Sequence, residues 1–353
     1  MASVSLPAIS IPRYRTRTRA LARSQTTLSS RMPSLKSLGH RAVSGRCRDW
    51  NLNVIRAGSP DVKREAEAMI PPYNVLITGS TKGIGYALAR EFLKAGDNVL
   101  LCSRSAERVE STTQNLRKEF GEQRVWGTVC DVREGKDVKA LVAFARKTLG
   151  YIDIWINNAG SNAYSFKPLA ETSDEDLMEV VTTNTLGLMI CCREAINMML
   201  NQPRGGHIFN IDGAGSDGRP TPRFAAYGAT KRSVVHLTKS LQAELQMQEV
   251  KNVVVHNLSP GMVTTDLLMS GATTKQAKFF INILAEPPDV VAASLVPSIR
   301  SIPSSQSKKP KYIRFLTGFK AYSQIFSVKK TITYVVFLFL FTYATPNLLT
   351  AQV

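Results

Sequence analysis

The chain has 353 residues, of which 44% are hydrophobic, and a formal net charge of +18. That charge is confined to the two ends, because residues 1–56 carry eleven basic residues against one acid, residues 300–353 carry eight against none, and the residues between are balanced. A nucleic-acid-binding domain would need basic residues clustered within its folded part, so the composition argues against that class of protein.

Residues 1–56 have the composition of a targeting segment. They are rich in Arg, Ser and Thr and lack an apolar run long enough for a secretory signal. Residues 54–57 (VIRA) resemble the end of a chloroplast transit peptide, which predicts a transit peptide at 1–56 and a mature chain that begins near Ala57. A disordered basic tail remains an alternative. So does a mitochondrial presequence, although three prolines would interrupt the amphipathic helix that a presequence needs.

From residue 74 onward, short apolar runs alternate with amphipathic stretches of helical period. The apolar runs predict strands at 74–78, 98–103, 125–130, 152–157, 207–211 and 252–258. The stretches between them predict helices at 84–95, after 103 and up to 119, and at 136–149, 174–199 and 224–246. Strands that lack alternating polarity and are separated by helices indicate a parallel sheet covered on both faces. The predicted fold class is therefore α/β, a doubly wound parallel sheet in a single domain at 74–300, with a linker at 57–73 before it.

The sequence changes character beyond about residue 300. Residues 301–311 (SIPSSQSKKPK) are linker-like, which predicts a basic linker and C-terminal extension at 301–330. Residues 331–353 carry no charge, but their densest apolar run, 332–344, falls short of the roughly 20 residues that span a bilayer. Three interpretations of this tail stay open: contact with lipid, docking of a partner, and a strand-forming segment packed on the domain.

The cysteines and histidines indicate neither a disulfide framework nor a metal site. The five cysteines contain no C-x-x-C pair, and the four histidines show no metal-ligand spacing. Cys102 and Cys130 lie in apolar runs and are expected to be core thiols. The sequence thus predicts a reduced compartment and a site without a metal.

A glycine-rich turn, residues 78–85 (TGSTKGIG), directly follows the first predicted strand and precedes a helix. Gly79 permits a sharp turn, Gly83 lets the backbone approach a pyrophosphate, and Gly85 allows helix and strand to pack closely. The helix N-terminus would add amide donors for the phosphates. This strand–turn–helix context predicts a dinucleotide site. Its candidate residues are Gly79, Ser80, Lys82, Gly83, Ile84 and Gly85.

The spacing T-G-x-x-x-G-x-G resembles the short-chain dehydrogenase/reductase family, and five further family elements follow in order within residues 74–300. The resemblance implies a Rossmann-type fold and specific roles for the matching residues. For the cofactor these are Asp131 and Val132 beside the adenine, Asn158, Ala159 and Gly160 of an N-N-A-G element, and Pro260, Gly261 and Thr264 beside the nicotinamide. For catalysis they are Asn184, Tyr227 and Lys231, and the last two also contact the cofactor.

The second predicted strand ends at Cys102 and Ser103 without the acid that holds the ribose 2′-hydroxyl in NAD-binding relatives. Arg104 follows at once, and together with Lys82 it could bind a 2′-phosphate through charge-assisted hydrogen bonds. By resemblance this pattern implies NADPH as the cofactor.

Tyr227 and Lys231 lie one helical turn apart and therefore share a face of their helix. A tyrosine donates a proton efficiently near neutral pH only if its anion is stabilised, and the Lys231 ammonium is expected to do this by lowering the pKa of Tyr227. The resemblance further implies that Lys231 binds the nicotinamide ribose hydroxyls and that Asn184 holds a water in the proton relay.

The serine that assists the tyrosine in the family is out of register in this chain. Its position falls on Gly213 when counted from the fifth strand and on Ala214 when counted from Tyr227. Ser216 is the nearest hydroxyl and is the candidate for a displaced catalytic serine. An ordinary loop serine remains the alternative.

Three longer stretches, residues 74–99, 206–231 and 256–288, resemble one branch of the family, the plastid reductases of chlorophyll b. The resemblance implies NADPH-dependent reduction of the 7-formyl group of chlorophyll b to 7-hydroxymethyl chlorophyll, on the stromal side of the thylakoid membrane. It also implies two partners: a membrane-spanning reductase of the non-yellow-colouring type and the light-harvesting complex. A homo-oligomer is left open.

An apolar segment after Pro260 agrees with a substrate that has a macrocycle and a hydrophobic tail. By resemblance it lies where the family places a substrate lid, although the same residues could form the core side of an amphipathic helix. They are Leu267, Leu268, Met269, Phe279, Phe280, Ile281 and Leu284.

Two other functions stay open. Another plastid NADPH-dependent carbonyl reductase, such as a 3-oxoacyl-carrier-protein reductase, would be expected to keep the family serine in register. A non-catalytic NADP-binding scaffold on light-harvesting complexes would have no need of Tyr227 and Lys231, and both are present.

Overall fold

The computed structural model describes residues 69–271, 275–305, 308–317 and 323. The predicted transit peptide at 1–56, residues 57–68 of the predicted linker and the uncharged tail at 331–353 lie outside the described residues. No helix in the described part of the chain is long and apolar enough to cross a bilayer.

Seven parallel strands form one sheet in the order β3-β2-β1-β4-β5-β6-β7. Their bounds are β1 Asn74–Thr78, β2 Asn98–Ser103, β3 Val125–Val129, β4 Ile154–Asn157, β5 Gly206–Ile211, β6 Val253–Ser259 and β7 Tyr312–Arg314. The strand order reverses between β1 and β4, and in open sheets ligands bind at the carboxyl ends of the strands beside such a switch point. The predicted doubly wound α/β sheet is confirmed.

Helices cover both faces of this sheet. Their bounds are α1 Gly83–Lys94, α2 Ala106–Phe120, α3 Gly135–Leu149, α4 Asp174–Val181, α5 Leu188–Leu200, α6 Ala225–Met247, α7 Asp266–Met269, α8 Lys275–Leu284 and α9 Pro288–Ser304. One apolar core, which includes Phe92 of α1 and Leu295 of α9, packs against one face of the strands. A second core, which includes Leu141 of α3 and Met198 of α5, packs against the other.

The long helix predicted at 174–199 is interrupted by a π-helical segment, Thr182–Gly187. Hydrophobic periodicity does not register such an insertion, because the residues on both sides keep their buried faces. π-Bulges of this kind occur often at functional sites, and this one contains Asn184.

The sheet continues beyond the domain end predicted at residue 300. Helix α9 ends at Ser304, and β7 pairs with β6 through Asn257 N–H to Lys311 O at 3.0 Å and Phe315 N–H to Ser259 O at 2.9 Å. The predicted linker at 301–330 is thus wrong for β7. A three-residue strand beside two lysines and a proline has too short an apolar run to be recognised, and only its pairing with β6 defines it.

Two buried histidines connect β5, β6 and the residue before β7. Nδ1 of His207 lies 3.0 Å from Nε2 of His256, and Nδ1 of His256 accepts the backbone N–H of Lys311 at 3.0 Å. His256 therefore carries its proton on Nε2, and a second proton would break the bond to Lys311. Burial lowers the pKa of His207 to about 4 and that of His256 well below its usual value.

This pair predicts a loss of stability in mild acid. Each ring has a lower pKa in the folded chain than in the unfolded chain, so the unfolded state binds more protons below pH 6.5. His207 alone is expected to lower the free energy of unfolding by about 2 kcal/mol between pH 7.5 and pH 5. Urea unfolding at several pH values measures this. The double variant His207→Gln, His256→Gln should have a shallower pH slope, and equal slopes in the two proteins would contradict the assignment.

Candidate active site

A single cleft of about 1180 Å³ opens at the carboxyl ends of the strands. That volume exceeds the roughly 300–1,000 Å³ of pockets for one small molecule, so the cleft can hold a dinucleotide and a second ligand. Every predicted site residue lines it except Ser80 and Asn184.

The glycine turn is held tightly against the N-N-A-G element. A Cβ on Gly79, whose φ is +64°, would lie 2.9 Å from the Cα of Ala159, and a Cβ on Gly85 would lie 2.4 Å from Nδ2 of Asn158. No side chain caps the start of α1, so its first amides are available to an anion in the cleft. The Ser80 hydroxyl instead donates to Ile77 O at 2.7 Å, which makes Ser80 part of the scaffold.

The end of β2 presents basic side chains and no acid. Arg104 is about half exposed and pairs with Glu179 at 3.0 Å, and Arg108 lines the same part of the cleft. Arg108 was missed by sequence reasoning, although its place in the first turn of α2 could have indicated it. These two cations fit the 2′-phosphate of NADP(H).

Asp131, at the end of β3, belongs to the same ion network. Arg133 joins Asp131 and Glu179, at 2.6 Å in each case. Burial alone would raise the pKa of Asp131, but the hydrogen bonds from Arg133 outweigh it and hold that pKa below its usual range. Asp131 is therefore an anion fixed at the rim of the cleft.

Lys82 points toward the lid segment rather than toward Arg104. Its Nζ donates to the Tyr164 hydroxyl at 2.8 Å and to Oδ2 of Asp266, the first residue of α7, at 3.1 Å. The hydrogen bond with Tyr164 outweighs burial and, with the Asp266 carboxylate, raises the pKa of Lys82. Lys82 and Arg104 line the same cleft, but each side chain is bonded to other groups, and their joint binding of a 2′-phosphate stays a prediction.

Asn184 is part of the framework behind the cleft. Its side chain accepts the Ser161 N–H at 2.8 Å and donates to Ser161 O at 2.8 Å and to Oγ1 of Thr230 at 3.0 Å. These bonds connect the π-helical segment to the loop after β4 and to α6. They use the amide of Asn184 and fix the position of the helix that carries Tyr227 and Lys231.

Tyr227 and Lys231 meet at the floor of the cleft. Nζ of Lys231 donates to Ile211 O at 3.2 Å and lies 5.6 Å from the centre of the Tyr227 ring. A Cβ on Gly160 would lie 3.6 Å from the same Nζ. Burial lowers the pKa of Lys231 to about 8, and the Asp212 carboxylate partly opposes this change.

The pKa of Tyr227 is raised, so the expectation that Lys231 lowers it is wrong for this structure. Burial is the main cause, and the Asp212 carboxylate adds to it. Tyr227 therefore stays a neutral phenol near neutral pH, the form that can give a proton to a carbonyl oxygen.

Of the two candidate positions for the family serine, Gly213 is the one that lies against Tyr227. A Cβ on Gly213 would lie 2.6 Å from the Tyr227 hydroxyl, whereas Ala214 is exposed. Ser216 is buried, its N–H donates to Gly213 O at 3.0 Å, and its hydroxyl lies beside Asp212 and Tyr312. Ser216 thus lines the cleft without occupying the serine position.

The predicted lid residues do not share one environment. Leu267 and Leu268 line the cleft, whereas Met269 and Phe279 are each 50% exposed. Leu284 is buried in the domain, as the core interpretation expected. Ile281 is partly buried, and the side chain of Phe280 lies outside the described residues.

The comparisons with known proteins agree with this geometry. The family model of the short chain dehydrogenases matches residues 73–276. The chain is 84% identical over 270 residues to "Chlorophyll(ide) b reductase NOL, chloroplastic" of Oryza sativa subsp. japonica, which covers 76% of this chain and 78% of that protein. The protein of the same name from Arabidopsis thaliana is 82% identical over 75% of this chain and 76% of its own length.

Among solved structures, an actinorhodin polyketide ketoreductase with NADPH matches with a TM-score of 0.61 and 28% identity, over 72% of this chain and 99% of that chain. The glycine turn and the pair Tyr227 and Lys231 line one cleft of this fold. The family model spans more than half of the chain. The chain therefore belongs to the short-chain dehydrogenase family.

Proposed function

We propose that this chain reduces the 7-formyl group of chlorophyll b to 7-hydroxymethyl chlorophyll, with NADPH as the reductant. The observation that carries the proposal is the placement of Tyr227 beside Lys231, with Nζ 5.6 Å from the ring centre, in a cleft that the glycine-rich turn also lines. The identity of 84% to a chlorophyll(ide) b reductase supports the choice of substrate.

The residues of the cleft suit NADPH. The uncapped amides of α1 would hold the pyrophosphate, and Arg104 and Arg108 would hold the 2′-phosphate. Lys231 would bind the nicotinamide ribose hydroxyls through its ammonium. When bound, NADPH supplies the hydride that forms the new C–H bond at the formyl carbon.

Tyr227 completes the reduction. As the formyl carbon gains two electrons, its oxygen becomes basic and takes the proton from the Tyr227 hydroxyl, which yields the alcohol. The phenolate that remains lies beside the Lys231 ammonium, whose Nζ is 5.6 Å from the ring centre, and Asn184 keeps α6 in register with the loop after β4. The hydroxyl of Ser216 lies beside the carboxyl group of Asp212 and favours its ionised form.

The apolar residues at and near the cleft agree with a substrate that is a pigment delivered by a membrane protein. Leu267 and Leu268 line the cleft, and Met269 and Phe279 of the same predicted lid segment are each half exposed. We place the protein in the chloroplast, on the stromal side of the thylakoid, where it would take chlorophyll b from light-harvesting complexes. There it would work beside the membrane-spanning reductase of the non-yellow-colouring type. The chloroplastic names of its relatives support this location.

The purified protein is expected to convert chlorophyll b or chlorophyllide b to the 7-hydroxymethyl product when NADPH is supplied. Chromatography of the pigments measures the product, and NADH at equal concentration should give a much slower rate because it lacks the phosphate that Arg104 and Arg108 fit. Tight NADPH binding without product from either pigment, even when light-harvesting complex carries the substrate, would contradict the proposal.

A further inference from the structure

Asp212 is a buried carboxylate that no step above uses directly. It follows β5, is 2% exposed, and its N–H donates to Leu258 O at 3.0 Å, so sheet pairing fixes its backbone. Its Oδ2 accepts the hydroxyl of Tyr312, and its Oδ1 is buried without a hydrogen-bond partner among the described residues. Sequence analysis could have singled out Asp212, because it is an acid directly after a buried strand, at the carboxyl ends of the strands where the site lies.

Three hydroxyl groups lie near this carboxylate. They come from Tyr312 of β7, Ser259 of β6 and Ser216 in the loop after β5. Asp212 lies between Ile211, whose O accepts Nζ of Lys231 at 3.2 Å, and Gly213, where a Cβ would lie 2.6 Å from the Tyr227 hydroxyl. The titratable groups of α6 beside it are therefore Lys231 and Tyr227. No described cation lies within ion-pair distance, so Asp212 acts on Lys231 across a gap rather than through a contact.

Such an arrangement is unfavourable for folding taken alone. A buried carboxylate destabilises a protein unless it is paired or fully hydrogen-bonded, and one oxygen of Asp212 lacks a partner. The field of the carboxylate favours the ammonium of Lys231 over the neutral amine, and the phenol of Tyr227 over the phenolate. The ammonium of Lys231 is the form that the proposed contact with the nicotinamide ribose requires.

We propose that Asp212 is a positioning residue of the reductase site, whose carboxylate, held by Tyr312 and flanked by Ile211 and Gly213, holds the Lys231 ammonium in place for cofactor binding. The inference rests on the proposed function for the cofactor that Lys231 binds. Its effect on Lys231 can be measured without any pigment. The proposal also gives β7 a function, because Tyr312 of this strand donates the hydrogen bond that holds the Asp212 carboxylate.

NADPH binding to the full chain, followed by nucleotide fluorescence between pH 6.5 and pH 9, tests the proposal. Burial already lowers the pKa of Lys231 to about 8, so wild-type affinity should fall above that pH. In Asp212→Asn the fall should begin at least about half a pH unit lower. At pH 8.5 this variant should bind NADPH about threefold or more weakly than the wild type, and at pH 6.5 within about twofold.

The matched control is Asp153→Asn. Asp153 is an equally buried carboxylate at the opposite edge of the sheet, where it accepts the Asn74 N–H at 2.9 Å. This control should lower the free energy of unfolding and leave the pH dependence of NADPH binding unchanged. Asp212→Glu, which keeps the charge, should restore most of the wild-type profile.

Tyr312→Phe covers the case in which Asp212→Asn fails to fold. Loss of the tyrosine hydroxyl removes a hydrogen bond that favours the carboxylate, so the profile should move in the same direction by a smaller amount. Wild-type pH profiles in both Asp212→Asn and Tyr312→Phe would overturn the inference. If the variants shifted the pH profile of NADPH binding but the wild type reduced neither pigment, the proposed function would be rejected. The effect of Asp212 on Lys231 would still stand.

Discussion

Replacement of Tyr227 by phenylalanine is expected to lower kcat for formyl reduction by about 10²- to 10⁴-fold, the usual contribution of a positioned general acid. The hydroxyl group is the only part of the side chain that is lost, so the packing of the ring at the cleft floor should persist. NADPH affinity should change by less than about threefold, because the cofactor contacts proposed for Lys231 and the glycine turn remain. Single-turnover kinetics with chlorophyllide b and a separate NADPH titration measure the two effects.

Tyr151→Phe makes the same chemical change outside the cleft. Tyr151 lies at the amino-end edge of the sheet, where Arg204 stacks on its ring at 4.3 Å, so kcat should stay near the wild-type value. If Tyr227→Phe kept more than about a tenth of wild-type kcat, another group would have to supply the proton. Ser216 and Asp212 would be the first to examine, since both line the same cleft.

The parts of this fold that could be predicted from sequence are those with local causes. The bounds of β1 and β2 are confirmed at 74–78 and 98–103 because each is an apolar run that ends at turn residues. The glycine turn is equally local, since its geometry follows from the backbone freedom of Gly79 and the close contact of Gly85 with Asn158.

What could not be predicted depends on contacts between distant parts of the chain. Asp212 and Tyr312 are 100 residues apart in sequence, and only the pairing of β7 with β6 brings them together. The raised pKa of Tyr227 likewise follows from burial and from Asp212, neither of which the spacing of Tyr227 and Lys231 contains. The partners of Lys82 depend on where α7 lies. Motif spacing therefore located the candidate residues, and long-range packing determined their electrostatic state.

These contacts also change how the missing serine is understood. When the motifs are counted from the fifth strand, the chain has Gly213 in place of the catalytic serine and a serine, Ser216, three residues further on. In the structure, the space at position 213 is taken by the Tyr227 hydroxyl, and Lys231 Cγ lies 3.3 Å from where a Cβ would be. A side chain at position 213 would therefore force the Tyr227 hydroxyl to shift. The adjacent residue, Asp212, is the buried polar group at this end of β5.

Restoration of the family residue is therefore expected to impair the enzyme. In Gly213→Ser a Cβ would lie 2.6 Å from the Tyr227 hydroxyl, and the tyrosine would have to move away from its proton-donating position. A displacement approaching 1 Å of a catalytic group can lower the rate about 100-fold, so kcat should fall about 10- to 100-fold, and Gly213→Ala should behave similarly. Steady-state kinetics with NADPH and chlorophyllide b give this value.

Ala214→Ser is the matched control for this prediction, because Ala214 is the adjacent residue, is exposed, and is the serine position counted from Tyr227. It should keep kcat within about threefold of the wild type. Gly213 does not have a positive φ, so loss of rate in Gly213→Ala would result from the added atom and not from backbone strain. Equal or higher kcat in Gly213→Ser would mean that Tyr227 yields without loss, and the serine would then act as it does in the rest of the family. A loss in Gly213→Ser and Gly213→Ala but not in Ala214→Ser would show that the glycine sets the place of the proton donor.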